Sequence, residues 1–205
     1  QIVSDNLPSE FPPLKSQDAR QNNLPSSLTE FIGRRKEINE IKQLFPKIRL
    51  LSLIGAGGTG KTRLAIQLVT ELIDEFDNGV WIIEFSPVTD PEFVVKEISS
   101  VLNLKEDPGT DLLETLKEFL KEKKILLLFD NSEHLLHKCA QISEILLSYC
   151  PGLKIISTSR EPFNSQGETL FRIPPLSLPD KIKNESFETL AEYESVRFFL
   201  ERANS

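Results

Sequence analysis

Eight residues, Gly55-Ala56-Gly57-Gly58-Thr59-Gly60-Lys61-Thr62, set four glycines, a lysine and a hydroxyl in the order G-x-x-x-x-G-K-[ST]. That order suits a backbone wrapped around phosphate oxygens. Glycine supplies positive φ angles and close main-chain approach, and the exposed N–H groups form an anion nest at a helix N-terminus. Lys61 is placed to reach the β- and γ-phosphates, and the Thr62 hydroxyl to ligate Mg²⁺. Arg63 follows directly and joins Gly55 to Thr62 as a candidate nucleotide contact. The expected ligand is ATP or ADP with Mg²⁺. The alternative for such a stretch is a glycine-rich turn that binds nothing.

A second group of chemical residues follows Ile125-Leu126-Leu127-Leu128-Phe129. Asp130, at the end of that apolar run, is the expected magnesium carboxylate, directly or through water; its bland reading is a turn or helix-capping Asp. Asn131 comes next, and an amide cannot take a proton from water. Glu133 is the nearest carboxylate able to polarise an attacking water, against the reading of a solvated first-turn acid. Hydrolysis is therefore expected to be slow. Arg160 ends the run Ser157-Thr158-Ser159-Arg160 and offers a fixed fork of donors for a γ-phosphate, or is an ordinary surface arginine. The catalytic candidates are Lys61, Asp130, Glu133 and Arg160, and the metal candidates are Thr62 and Asp130. His134 and His137 read as packed or solvent-exposed, and Trp81 as core.

These residues need a scaffold that brings them to one edge. Leu50-Leu51-Ser52-Leu53-Ile54 is a short apolar run, expected as a central strand before the loop. A helix is expected from Gly60 to Phe76. Further strands are expected over Val80–Phe85, Ile125–Phe129, Lys154–Thr158 and Thr169–Ile173. Helices are expected over Pro91–Leu102 with Asp90 as N-cap, Asp111–Glu122, Lys138–Tyr149 and Glu188–Arg202. An earlier helix carries Ile38, Ile41, Leu44 and Phe45 on one face and ends at Pro46. Strands apolar on both faces, alternating with helices, imply a parallel sheet covered on both sides. The expected fold class is α/β, a P-loop NTPase three-layer α/β/α sandwich with a central five-stranded parallel sheet.

The chain of 205 residues has 39% hydrophobic and 27% charged residues and a net charge of −7. That mean field repels polyanions, so direct nucleic-acid binding is not expected. No apolar run approaches the roughly 20 residues of a membrane span. Cys139 and Cys150 read as a reduced intracellular pair without zinc spacing, and the expected location is the cytoplasm. The chain starts at Gln1 and has no Met, which predicts a piece of a longer protein. Residues 1–30, with Pro8, Pro12, Pro13 and Pro25, read as a linker in which Phe11 and Leu14 could dock. Residues 31–180 are expected to form the nucleotide-binding domain, and 181–205 are expected to begin a truncated helical subdomain.

Taken together, these motifs resemble the STAND class of P-loop ATPases, with a closer likeness to NB-ARC-like ATPase domains of bacterial LuxR-type and cyclase-linked regulators. Phe31-Ile32-Gly33-Arg34-Arg35-Lys36-Glu37 looks like the hhGRxxE motif of that class, which implies that Gly33 and Arg34 contact the adenine side of the nucleotide. Asp130 to Leu136 and Thr158 to Pro162 are similar to its Walker B and sensor segments, so Asn131 fits the subfamily. Leu7 to Ser16 is similar to segments that follow class III nucleotide cyclase domains. The resemblance implies a sensor strand between the loop strand and the Asp130 strand. It also implies a switch, with ADP holding an inactive form and ATP favouring an open, self-associating one. The implied partners are other domains of the same chain: a cyclase-type or DNA-binding output and helical repeats. Two other readings share the loop. A small-molecule kinase needs an acceptor pocket and an Arg-rich lid, and neither is legible. An AAA+-like nucleic-acid ATPase sits badly with the acidic charge.

Overall fold

Strand residues with no polar face must be covered twice, and the computed structural model meets that demand. It describes residues 20–25, 31, 33–105, 109–176, 189–190 and 193–204. Five parallel strands, β1 Leu50–Ile54, β2 Val80–Glu84, β3 Ile125–Asp130, β4 Leu153–Ser159 and β5 Glu168–Arg172, lie in the order β2-β3-β4-β1-β5. The sensor strand β4 thus separates the loop strand β1 from the Asp130 strand β3, as the resemblance implied.

Side chains alternate across each strand, so β3 feeds two cores. Ile125, Leu127 and Phe129 enter the core shared with α3 Val94–Val101, α4 Leu112–Leu120 and α5 Leu136–Tyr149. Leu126 and Leu128 enter the opposite core with α1 Arg35–Leu44 and α2 Lys61–Leu72. Phe129 meets Phe85 edge to face at 5.3 Å. Trp81 is half-buried against the first core, its indole N–H donating to the Asn78 carbonyl. The last described helix, α6, spans Glu194–Asn204.

Local chemistry sets the element ends. Asp90 and Asp111 accept the backbone N–H of Glu92 and Leu113, two residues on. The Asp90 cap opens a 3₁₀ turn over Pro91–Phe93 before α3, so the α-helix begins later than the pattern suggested. A 3₁₀ turn over Ile73–Glu75 likewise closes α2. On α1, Ile38, Ile41 and Phe45 are buried, but Leu44 is 45% exposed. Six residues at 3.6 per turn leave Leu44 about 120° from Ile38, off the apolar stripe. Of the helix expected over Glu188–Arg202, Thr189 and Leu190 are helical, Tyr193 is a bend, and a separate helix runs Glu194–Asn204.

Residues 20–25 fall in the expected linker, yet they pair with the sheet. Asn22 bridges Val80, whose N–H donates to the Gln21 carbonyl at 3.1 Å. The Asn23 side-chain amide then imitates a backbone: it donates to the Ile82 carbonyl at 2.8 Å and accepts the Ile82 N–H at 2.7 Å. Together these bonds occupy the outer edge of β2, which would otherwise be a pairing template. Phe11 and Leu14 lie outside the described residues.

Gly79 makes this docking fit, because its φ is +89° and a methyl there would overlap the Gln21 carbonyl oxygen. Gly79→Ala is expected to destabilise the protein by about 2 kcal/mol and to expose the Ile82 amide. Urea unfolding with hydrogen exchange checks this; unchanged protection at Ile82 would contradict it.

Both cysteines are free and buried. Burial pushes the Cys139 thiol up to about 12, so it stays protonated and unreactive at neutral pH. No described helix is long and apolar enough to cross a membrane.

Candidate functional site

In register, Ile54 at the end of β1 faces Ser159 on β4, and Phe129 on β3 faces Ser157. The carboxyl ends of three adjacent strands therefore meet at one level, and the loop, Asp130 and Arg160 leave the sheet side by side. This is the edge where open α/β sheets bind ligands.

The Gly55 N–H donates to the Ser159 carbonyl, which ties the loop's start to β4. Of the four glycines, Gly58 and Gly60 have positive φ, +78° and +82°. An added Cβ at either meets nothing within 4 Å, so backbone conformation, not space, selects glycine there. Gly55 and Gly57 lack positive φ. Gly55 instead admits Thr59 Oγ1, which would lie 2.9 Å from a Cβ. Thr59 donates from both its N–H and its hydroxyl to the Ala56 carbonyl. Lys61 folds over the same turn, and its Nζ donates to the Gly55 and Ala56 carbonyls at 3.0 Å each. An ammonium held by two carbonyls transfers readily to phosphate, because the anion offers a stronger charge-assisted bond.

Asp130 is 7% exposed. Its Oδ1 accepts the Thr62 hydroxyl at 2.8 Å and the Thr158 hydroxyl at 2.5 Å. The Thr158 Oγ1 in turn accepts the Asn131 N–H at 3.0 Å. Asn131 sits at φ +58°, a conformation asparagine tolerates, and its amide donates to Ser86 Oγ.

Glu133 and Arg160 meet each other. Arg160 Nε lies 3.1 Å from Glu133 Oε1, with the arginine side chain 65% exposed and the glutamate 24%. Glu133 Oε2 is buried without a hydrogen-bond partner among the described residues. The guanidinium also passes Gly57, with Nη2 3.5 Å from where a Cβ would stand.

The result is a cavity of about 360 Å³ lined by Gly57, Gly58, Gly60, Lys61, Thr62, Arg63, Asn131, Glu133, Thr158 and Arg160. A neighbouring cleft of about 410 Å³ runs between the docked N-terminal segment and α2. Leu24, Phe31, Ile66, Gln67 and Ile73 line it, and it shares Arg63 with the first.

The expected adenine contacts Gly33 and Arg34 line neither cavity. Arg34 is 4% exposed. Its guanidinium donates to Glu37 Oε1 and to the Thr59 carbonyl, both at 3.2 Å, and so supports the phosphate loop from behind. His134 is exposed and meets the Val88 carbonyl; His137 is exposed. The bond from the Thr158 hydroxyl on β4 to Asp130 was not foreseen from the sequence. Pattern reading also missed Leu24, and nothing local marks that contact.

Residues 34–163 match the family model of the NB-ARC domain. The chain belongs to the NB-ARC domain family. This NB-ARC domain is a nucleotide-binding module of the P-loop ATPase type, in line with the STAND-class resemblance. An uncharacterized protein of Mycobacterium tuberculosis is 39% identical over 158 residues, which are 77% of this chain and 40% of that protein. Another M. tuberculosis protein, provisionally named an HTH-type transcriptional regulator, is 36% identical over 69% of this chain and 16% of its own length. The chain thus spans about 40% of the first of these relatives and less of the second.

Solved structures agree on the fold. A STAND protein with a tetratricopeptide repeat sensor from Pyrococcus horikoshii superposes with a TM-score of 0.55 at 16% identity, over 84% of this chain and 28% of that one. The Cdc6p protein of Pyrobaculum aerophilum gives 0.55 at 18% identity, over 75% of this chain and 48% of its own.

Proposed function

We propose that this NB-ARC domain is the ATP/ADP switch of a longer cytoplasmic bacterial signalling or transcriptional regulator, with slow Mg²⁺-dependent ATP hydrolysis. The observation that carries the reading is the Arg160–Glu133 ion pair at 3.1 Å in the wall of the phosphate cavity. ADP leaves that pair closed. A γ-phosphate competes with Glu133 for the exposed guanidinium, so ATP opens it. The two nucleotides then favour two arrangements of the loop after β4, and a switch requires such differential contact.

The phosphates lie in the 360 Å³ cavity, on the N–H groups of Gly57 to Thr62 and on Lys61. The base lies in the neighbouring cleft, against Leu24, Phe31 and Ile66. Thr62 and Asp130 present hard oxygens 2.8 Å apart, a set that fits Mg²⁺, since that ion keeps most of its waters and needs few protein ligands. Bound there, Mg²⁺ would neutralise charge on the phosphate oxygens.

Slow turnover follows from the acid–base inventory. Asn131 cannot serve as a base, and Glu133 is engaged by Arg160 until that arginine leaves. The limited share of the mycobacterial relatives that the chain spans supports further domains in the same protein. Those domains include a cyclase-type or DNA-binding output and helical repeats, and ATP promotes self-association.

Arg160→Ala tests the switch. ATP affinity is expected to fall about tenfold, with ADP affinity unchanged within about twofold. Calorimetric titration of both nucleotides reads this, and equal loss for ATP and ADP would overturn the assignment of Arg160 to the γ-phosphate.

A further inference from the structure

Helix α1 begins in an unusual way. Its N-cap residue, Arg34, has φ +61° and gives the helix no side-chain cap. A non-glycine residue in the left-handed region costs about 1 kcal/mol or more and persists only where its surroundings hold it.

The restraint comes from the far end of the chain. Glu194, at the start of α6, accepts the Arg34 N–H with Oε1 at 2.8 Å, across 160 residues of sequence. A carboxylate at a helix N-terminus also suits the macrodipole. Gly33 makes room for it. With φ +71°, Gly33 would place a Cβ 2.6 Å from Glu194 Oε1 and 2.8 Å from Cδ, too close for any side chain.

From Arg34 the contacts continue to the phosphates' side. The buried guanidinium is steered by Glu37 and donates to the Thr59 carbonyl. Thr59 closes the loop turn on the Ala56 carbonyl, which also receives Lys61 Nζ. Glu194, Arg34, Thr59 and Ala56 thus connect α6 to the candidate phosphate-binding Lys61.

We infer that Glu194 is a positioning residue for the phosphate loop: by fixing the Arg34 backbone it aims the guanidinium at Thr59, so the seating of α6 sets nucleotide affinity. α6 lies outside residues 34–163, the part that matches the family model. The affinity clause rests on the proposed nucleotide binding. The relay itself does not.

Hydrogen exchange on the whole 205-residue chain without nucleotide, followed by ADP titration, tests this for Glu194→Ala, Glu194→Gln and Gly33→Ala. Glu194→Ala is expected to raise exchange at residues 56–60 and to weaken ADP about tenfold, within the usual range of coupling between sites. Glu194→Gln keeps an acceptor oxygen and should recover most of both. Gly33→Ala and Glu194→Ala should combine less than additively in melting temperature, because the second removes the carboxylate that the added methyl strikes.

Exchange confined to α1 and α6, with loop protection and ADP affinity unchanged, would overturn the proposal. A wild-type chain that binds no ADP would sink the nucleotide reading instead, and the exchange and melting results would still decide the relay.

Discussion

Lys61→Ala lowers ATP and ADP affinity on the order of 100-fold and leaves the fold intact. The affinity loss follows from charge-assisted bonds to phosphate, each worth about 1.5–3 kcal/mol where water is partly excluded. In the structure Lys61 Nζ is already at the loop, donating to the Gly55 and Ala56 carbonyls, so little reorganisation separates its resting position from a phosphate. Fold retention follows from position. Lys61 is the first residue of α2, half-buried, and alanine is the better helix former. The affinity and stability effects therefore separate cleanly. Calorimetry should show near-complete loss of binding, while the melting temperature without nucleotide stays within a few degrees. A variant that binds ADP as tightly as the parent would remove the loop from the site.

Asp130→Ala should abolish the Mg²⁺ dependence of ATP affinity and bring hydrolysis below detection. The carboxylate is the charged oxygen donor beside Thr62, and alanine leaves the metal a single hydroxyl. Stability changes less. The Thr158 hydroxyl, buried beside it, loses its acceptor but still accepts from the Asn131 N–H. The released cost of holding a carboxylate at 7% exposure offsets part of that loss, and the net should be about 1 kcal/mol. Asp130→Asn separates the two roles. Its amide oxygen still accepts both hydroxyls, so stability should return, while the charge that attracts Mg²⁺ does not. Nucleotide titrations with Mg²⁺ and with EDTA read the difference. Persistence of the Mg²⁺ effect in both variants would place the metal elsewhere.

The parts of this molecule legible in its sequence are those determined by neighbours in the chain. β1 falls at Leu50–Ile54, as its apolar run predicts, because a short buried strand between polar flanks carries its own boundaries. The place of the glycine-rich loop between β1 and α2, and of Asp130 at the end of β3, was legible for a related reason, since adjacent apolar runs set those boundaries. The strand order was implied by family resemblance, because apolar strands alone do not say which of them are adjacent. Contacts between distant residues were not legible at all. Asn23 read as a linker residue until Ile82 was placed beside it. Glu133 and Arg160 were each assigned to the nucleotide, and their ion pair across 27 positions was unforeseen. Arg34 was expected toward the adenine, and its guanidinium bond to the Thr59 carbonyl, across 25 positions, was unforeseen. No local pattern marks Glu194 as the partner of Gly33 and Arg34.

The most direct test of the central claim is to denature the purified protein, identify the released small molecules by chromatography, and treat Lys61→Ala identically. The account predicts adenine nucleotide, chiefly ADP, near stoichiometric in the parent and missing from the variant. Nucleotide retained by Lys61→Ala would contradict it. So would a parent protein that releases none and binds neither ATP nor ADP on titration into the millimolar range.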